Sequence, residues 1–170
     1  MNAYETNTHQ HAGHTIRVEW HYDQHTGAPW DEEDGHGPVS SWTKRDKRPG
    51  ELVLNSDRGS YRFYDYAEAI KIAKRDAWDA KPYNTGTKGQ RAERAVRADF
   101  ELLRRWCNNE WHWCGYVCEI DGTDYSESLW GINPDSQCEF EKEAIAQAKS
   151  WLDRELTESN RAACADIATV

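Results

Sequence analysis

The stretch WCNNEWHWCGYVC, Trp106 to Cys118, limits what this chain can become more than any other. It sets three tryptophans, three cysteines and a histidine close together. From Glu110 to Ile120 it reads as a strand. Trp111, Trp113, Gly115 and Val117 share one parity; His112, Cys114, Tyr116 and Cys118 share the other. Both faces are nearly apolar, the pattern of a central strand covered on both sides. Cysteine serves there as a small buried hydrophobe. A metal reading fits less well. On an extended strand Cys114 and Cys118 stand ~13 Å apart, whereas zinc draws its ligands to within roughly 2.0–2.3 Å. His112 and Cys114 could share an ion only with ligands from elsewhere, and there is no CxxC or HExxH spacing. A catalytic Cys–His pair and an aromatic platform for a base or nucleotide are the other readings these residues admit.

Composition explains why aromatic strands must carry the core. Only 38% of the 170 residues are hydrophobic, 30% are charged, and the mean hydropathy is -1.00. Disordered chains are poor in aromatics, and this one has nine Trp and eight Tyr. Large rings bury much area each, so the expectation is a compact fold built around aromatic side chains. No run approaches the apolar length that spans a bilayer. The start, MNAYETNTHQHAGH, lacks the basic and apolar segments of a secretion signal. Five cysteines, none before Cys107, do not form a disulfide framework, and a reduced cytoplasmic protein is expected.

Along the chain, residues 1–14 are polar and read as a mobile tail, with His9, His11 and His14 spaced for at most a loose metal contact. TIRVEWHYD reads as a strand with Ile16, Val18, Trp20 and Tyr22 on one face. Residues 24–50 show no period and form a long connection, the kind that often carries function. ELVLNSDRGSYRFYDY reads as a hairpin turning at SDRG. A helix follows over about 66–80, begun by Asp65 and Glu68 and ended before Pro82. Thr87 with Gln90 opens a second helix over 88–107, with Ala92, Val96, Phe100, Leu103 and Cys107 as its apolar stripe. After the Trp-rich strand, SLWGIN reads as another strand, and Ser136 with Glu139 opens a third helix to about 153. The fold class expected is α+β: a small antiparallel sheet with about three helices. A single domain spans 15–157, and 158–170 forms a loosely held tail. A short internal echo, Leu54-Asn55-Asp57 against Ile132-Asn133-Asp135, allows two pseudo-symmetric strand-strand-helix halves, 15–86 and 87–157.

Charge is unevenly spread. Residues 1–40 are net -6, residues 41–109 net +6 and residues 110–170 net -9. Such segmentation suits a binder with one basic and one acidic face. The basic candidates are Lys44, Arg45, Lys47 and Arg48 beside Trp42, with Arg58 and Arg62 on the hairpin. Cations beside an exposed ring can grip a phosphate and stack a base. The acidic candidate is the run Asp31, Glu32, Glu33 and Asp34. It lacks EF-hand spacing, and there is no P-loop, GxGxxG or GxSxG. The plain reading of both runs is a solvated loop in which they pair with each other.

The phrases HGPVSSWTKRDKRPGE, SDRGSYRFYD, RRWCNNEWHWCG and SLWGI together resemble a family of small, uncharacterised accessory proteins of tailed phages and prophages, over roughly Trp30 to Ile132. The resemblance implies a phage protein working in bacterial host cytoplasm, and carries over no catalytic or ligand residue. By analogy, such a protein binds and disables a host system. The expected function is therefore a non-enzymatic binding protein that antagonises a host defence or regulatory complex through charged surfaces, with no cofactor, no metal and no membrane. The alternative is a nucleic-acid or cyclic-nucleotide binder using tryptophan with Arg and Lys contacts. A third reading is an enzyme built on His112 and Cys114.

Overall fold

The computed structural model describes residues 2–78 and 85–167, with the side chains of 160 and 162–167 excepted. The expected break at Pro82 lies outside the described residues. The protein is α+β, and the chain divides into two units: residues 1–26 with 112–170, and residues 27–111. Both differ from the expected halves, because the first unit is assembled from the two ends of the chain.

The first unit is a four-stranded antiparallel sheet carrying one long helix. Its strands are β1 (Glu5–His11), β2 (His14–Tyr22), β5 (Cys114–Ile120) and β6 (Ser126–Ile132), in spatial order β1-β2-β5-β6. The segment expected as a mobile tail is therefore an edge strand. Its residues pair with β2 from Glu5↔Trp20 to His11↔His14. The two-residue turn between them, Ala12 and Gly13, has positive φ at both positions (49° and 84°), as a tight hairpin requires. The Trp-rich strand is central, as its sequence implies, but begins at Cys114.

Alternation sorts the two inner strands. Ile16, Val18 and Trp20 of β2 and Cys114, Tyr116, Cys118 and Ile120 of β5 are buried on one face. That face is covered by α4 (Gln137–Ile167), which lies over β2 and β5 through Ala144, Ile145, Ala148 and Leu152. Alanines at this spacing let the helix approach Trp20 and Tyr116, which meet edge to face at 5.5 Å. Fully burying a side chain of this size contributes about 2–3 kcal/mol from apolar transfer alone. The helix continues past residue 158, where a loose tail was expected. Among the described residues, no helix is long and apolar enough to cross a membrane.

The second unit contains the hairpin of β3 (Glu51–Asp57) and β4 (Ser60–Asp65), the four-residue α1 (Pro29–Glu32), α2 (Tyr66–Arg75) and α3 (Lys88–Cys107). Asp65 caps α2 by accepting from the Glu68 N–H at 2.9 Å. Thr87 and Gln90 close a reciprocal capping box on α3. Leu54, Tyr64, Ala69, Ala73, Ala92, Val96 and Leu103 form the core, with Phe100 edge-on to Tyr64 at 5.6 Å. The hairpin-then-helix order of β3-β4-α2 recurs in β5-β6-α4, but the echoed residues do not correspond: Leu54, Asn55 and Asp57 lie in the first strand of one hairpin, whereas Ile132 ends the second strand of the other and Asn133 and Asp135 follow it.

Candidate functional site

The long connection 24–50 is held by backbone bonds to β4 and by side chains around it. Between residues 38 and 43 it runs antiparallel beside β4. Ser40 N donates to Phe63 O at 2.8 Å, and Thr43 exchanges backbone bonds with Tyr61 at 2.7 and 2.9 Å. The bend before this run is fixed by Asp99 on α3. Its carboxylate accepts from His36 Nδ1 at 2.5 Å, from the Gly37 N–H at 2.8 Å and from Tyr64 Oη at 2.6 Å. Residue 37 must be glycine, since a Cβ there would strike the Tyr64 phenol. Burial alone would lower the His36 pKa, but the hydrogen bond and charge of Asp99, with Glu33 behind it, outweigh burial and raise it. Burial, followed by the Asp99 charge, pushes the Tyr64 phenol far above its ordinary range.

The basic candidates divide between the two faces of β4. On one face the Arg62 guanidinium lies between two indoles, 4.8 Å from the Trp30 ring and 4.9 Å from the Trp42 ring. Trp106 of α3 meets Trp30 edge-on at 5.4 Å and continues the aromatic wall. Arg62 Nε is buried with no hydrogen-bond partner, and no carboxylate pairs with this guanidinium among the described residues. On the opposite face Arg45 stacks over Phe63 at 4.5 Å and grips Glu51 through both terminal nitrogens, at 2.6 and 2.7 Å. The Glu51 carboxylate also accepts from the Arg48 N–H at 2.8 Å, and Lys47 Nζ donates to the Glu51 carbonyl at 3.3 Å. The Arg45 hydrogen bonds, with the Arg48 N–H behind them, hold the Glu51 pKa near 2. Arg45 is thus a structural staple of this loop rather than a waiting ligand contact. Lys44, Lys47 and Arg48 are exposed, and Arg58 stands at the hairpin tip with φ 44°.

The acidic run is exposed at all four residues. Glu32 Oε1 accepts from the Gly27 N–H at 3.1 Å, and Glu33 stands 3.6 Å from His36 Nε2. Among the described residues the acidic and basic runs make no ion pair with each other; Arg45 takes Glu51 instead. Sequence reasoning overlooked Asp99 and Glu51, the two carboxylates that organise this loop. Asp99 falls on the α3 stripe, between Val96 and Leu103, and an acid at an apolar position was the signal.

No protein-family model matches the chain, and no curated protein or solved structure matches it either.

Cys114 and Cys118 of the Cys/His cluster are part of the core, and His112 is not. Cys114 Sγ donates to the Ile132 carbonyl at 3.3 Å, while His112 is exposed and packs edge-on to Tyr22 at 6.0 Å. Burial pushes both strand thiols up, Cys118 to about 11, which keeps them protonated at neutral pH. The three N-terminal histidines are tied to neighbours: His9 faces Glu141 at 3.5 Å, His11 faces Asp153 at 2.8 Å, and His14 faces the Asp121 carbonyl at 3.4 Å.

Charge is the remaining feature, and it follows the units. The sheet unit holds fifteen Asp and Glu against five Lys and Arg, net -10, while residues 27–111 hold fifteen against sixteen, net +1. Of the five cations in the sheet unit, Arg17 is already surrounded by Glu119 at 2.6 Å, Asp121 at 3.0 Å and Glu19 at 3.1 Å.

Proposed function

We propose that this chain is a non-enzymatic binding protein of the phage accessory kind its phrases resemble, and that it antagonises a host defence or regulatory complex by presenting a polyanionic surface to a basic partner. The observation that carries the reading is the net charge of -10 concentrated in the sheet unit. A surface of one sign speeds encounter with the opposite sign and competes for sites that bind nucleic acid. Exposed carboxylates on α4, Glu139, Glu143, Glu155 and Glu158, supply part of it. The test is recovery of a stoichiometric partner from host lysate by the intact protein, with release by salt. Reversing Glu139, Glu143 and Glu155 to lysine should abolish recovery. Undiminished recovery by that triple variant would refute the reading.

A second reading has its own support, the Trp30–Arg62–Trp42 clamp. Indole faces fix the guanidinium plane and leave its edge for a phosphate, while the 43% exposed Trp42 offers a stacking ring. Oligonucleotides or cyclic nucleotides should then quench tryptophan fluorescence at low salt and lose affinity as salt rises. A flat titration removes this reading.

A further inference from the structure

We propose that β6 is the docking edge: a basic, extended segment of a protein partner adds alongside it as a fifth strand of the sheet. The inference rests on the polyanion reading and specifies where on the sheet unit the partner sits.

β6 and β1 are the two outer strands of the sheet, and they differ in kind. The β1 sequence ETNTHQH has no apolar side chain, and α4 engages it through Asn7, which donates to Glu141 at 3.0 Å. The β6 sequence SESLWGI contains neither lysine nor proline, the usual guards of an open edge. It exposes Leu129 by 40% and Trp130 by 42%. The edge is guarded only in part: Trp130 and Gly131 bulge opposite Gly115 and the Gly131 N–H goes to Asp23 at 3.0 Å, which leaves Ser126 to Leu129 as the regular ladder that can template another strand, with the Trp130 ring at its end.

Both faces at this edge are prepared for alternating side chains. The helix α4 covers β2 and β5, so the Leu129 side of β6 stays open. There a groove of about 560 Å³ is lined by Tyr125, Glu127, Gln147, Trp151 and Arg154. Glu127 accepts from Tyr125 Oη at 2.7 Å and from Tyr116 Oη at 3.3 Å. The Gln147 amide donates to both of its oxygens at 3.0 Å, so three side chains hold Glu127 in place and what it offers a lysine or arginine is its fixed negative charge rather than a vacant acceptor site. On the other side the Trp130 ring lies over Gly115, where a Cβ would strike it, and 6.0 Å from His21. Successive side chains of an added strand point to opposite faces. A cation would therefore meet Glu127, and the next apolar residue would meet Trp130.

Charge selects the occupant. A second copy would bring two units of net -10 against each other, which like-charge repulsion opposes. A basic segment is attracted instead.

The test uses the isotope-labelled full chain and two probes: a peptide of alternating lysine and valine as long as β6, and a peptide of equal charge interrupted by proline, which cannot complete a ladder. The expected result is saturable binding of the first, with amide shifts confined to residues 126–132. Binding should weaken by roughly tenfold for the proline peptide and for each of Leu129→Lys and Trp130→Lys. Both positions are exposed, and circular dichroism checks that the variants fold. If both peptides bind alike and the edge variants bind as wild type does, the edge assignment fails and the polyanion reading survives. If neither peptide binds at low salt, both fail. A concentration-dependent dimer abolished by Trp130→Lys would make the occupant a second copy and overturn the proposal.

Discussion

Replacing Asp99 by alanine removes the single acceptor that three donors share: His36 Nδ1 at 2.5 Å, Tyr64 Oη at 2.6 Å and the Gly37 N–H at 2.8 Å. The Asp99 side chain is 8% exposed and that of His36 10%, so little water is at hand to replace the lost bonds. Each orphaned buried donor costs about 1–3 kcal/mol, and removing one member of a buried ion pair costs about 3–5 kcal/mol. These figures describe one carboxylate and do not add, so the expected loss for Asp99→Ala is about 3–5 kcal/mol. Typical domains have about 5–15 kcal/mol in total, so the urea midpoint of residues 27–111 should fall steeply. Asp99→Asn keeps the volume and one acceptor oxygen but turns an N–H toward a donor; about 2–3 kcal/mol is expected.

The pH dependence separates the His36 share from the rest. Its pKa is raised in the fold, because Asp99 and Glu33 outweigh burial. A raised pKa stabilises fully below the unfolded imidazole value of about 6.5, and the contribution is lost as pH rises through the folded value. The stability gap between wild type and Asp99→Asn should therefore be wider in mildly acidic buffer than in alkaline buffer. Urea titrations followed by tryptophan fluorescence measure both. A gap below about 1 kcal/mol in mild acid, the scale of one ordinary hydrogen bond, or a gap that ignores pH, would refute the account of this network.

Three further outcomes follow from other contacts. Glu51 titrates near 2 in the fold against an ordinary 4.5, so its stabilisation is present above 4.5 and disappears as pH falls towards 2. Acid titration of Glu51→Gln should be flatter than wild type across that interval. At Gly115 a Cβ would meet the Trp130 ring and, at 2.8 Å, the Leu129 carbonyl, so Gly115→Ala should cost about 1–3 kcal/mol in thermal or urea unfolding. Alkylation read by mass spectrometry in the native state should label exposed Cys138 long before Cys114 and Cys118, which α4 covers and whose thiols burial holds protonated. Fast labelling of Cys118 would contradict its burial.

Where sequence and structure agree, the sequence states both a period and a boundary. The α3 helix runs from Lys88 to Cys107 because Thr87 and Gln90 mark its start and an apolar stripe recurs every turn. Ile16, Val18 and Trp20 alternate, and the sheet buries all three. β1 has neither mark. ETNTHQH carries no apolar residue, and its turn places Ala12 at φ 49°, where Asn or Gly would have signalled a hairpin. Its partner is supplied by β2 and its contacts by α4, so nothing local in the strand encodes it. The grouping of Trp42 with Arg62 was legible from their types, as was the basic loop around Arg45. The division of those cations between two faces was not, because it follows from Glu51, which reads locally as the first residue of a strand.

The electrostatics show most clearly how chain order misleads. Cut as consecutive blocks, the sequence gives -6, +6 and -9, which looks like a chain with a basic middle. The fold cuts elsewhere. Asp31 to Asp34 fall in the same unit as Arg45, Arg62 and the arginines of α3, and bring that unit to +1. β1 and β2 then join the acidic C-terminal half, because Trp20 pairs across to Tyr116 and Arg17 is drawn to Glu119 and Asp121. The positive charge of the middle of the chain is thus largely balanced within its own unit, and the acidic surplus falls in the sheet unit, much of it on α4. A partner chosen by charge would be drawn to the sheet unit, whose more apolar edge is β6.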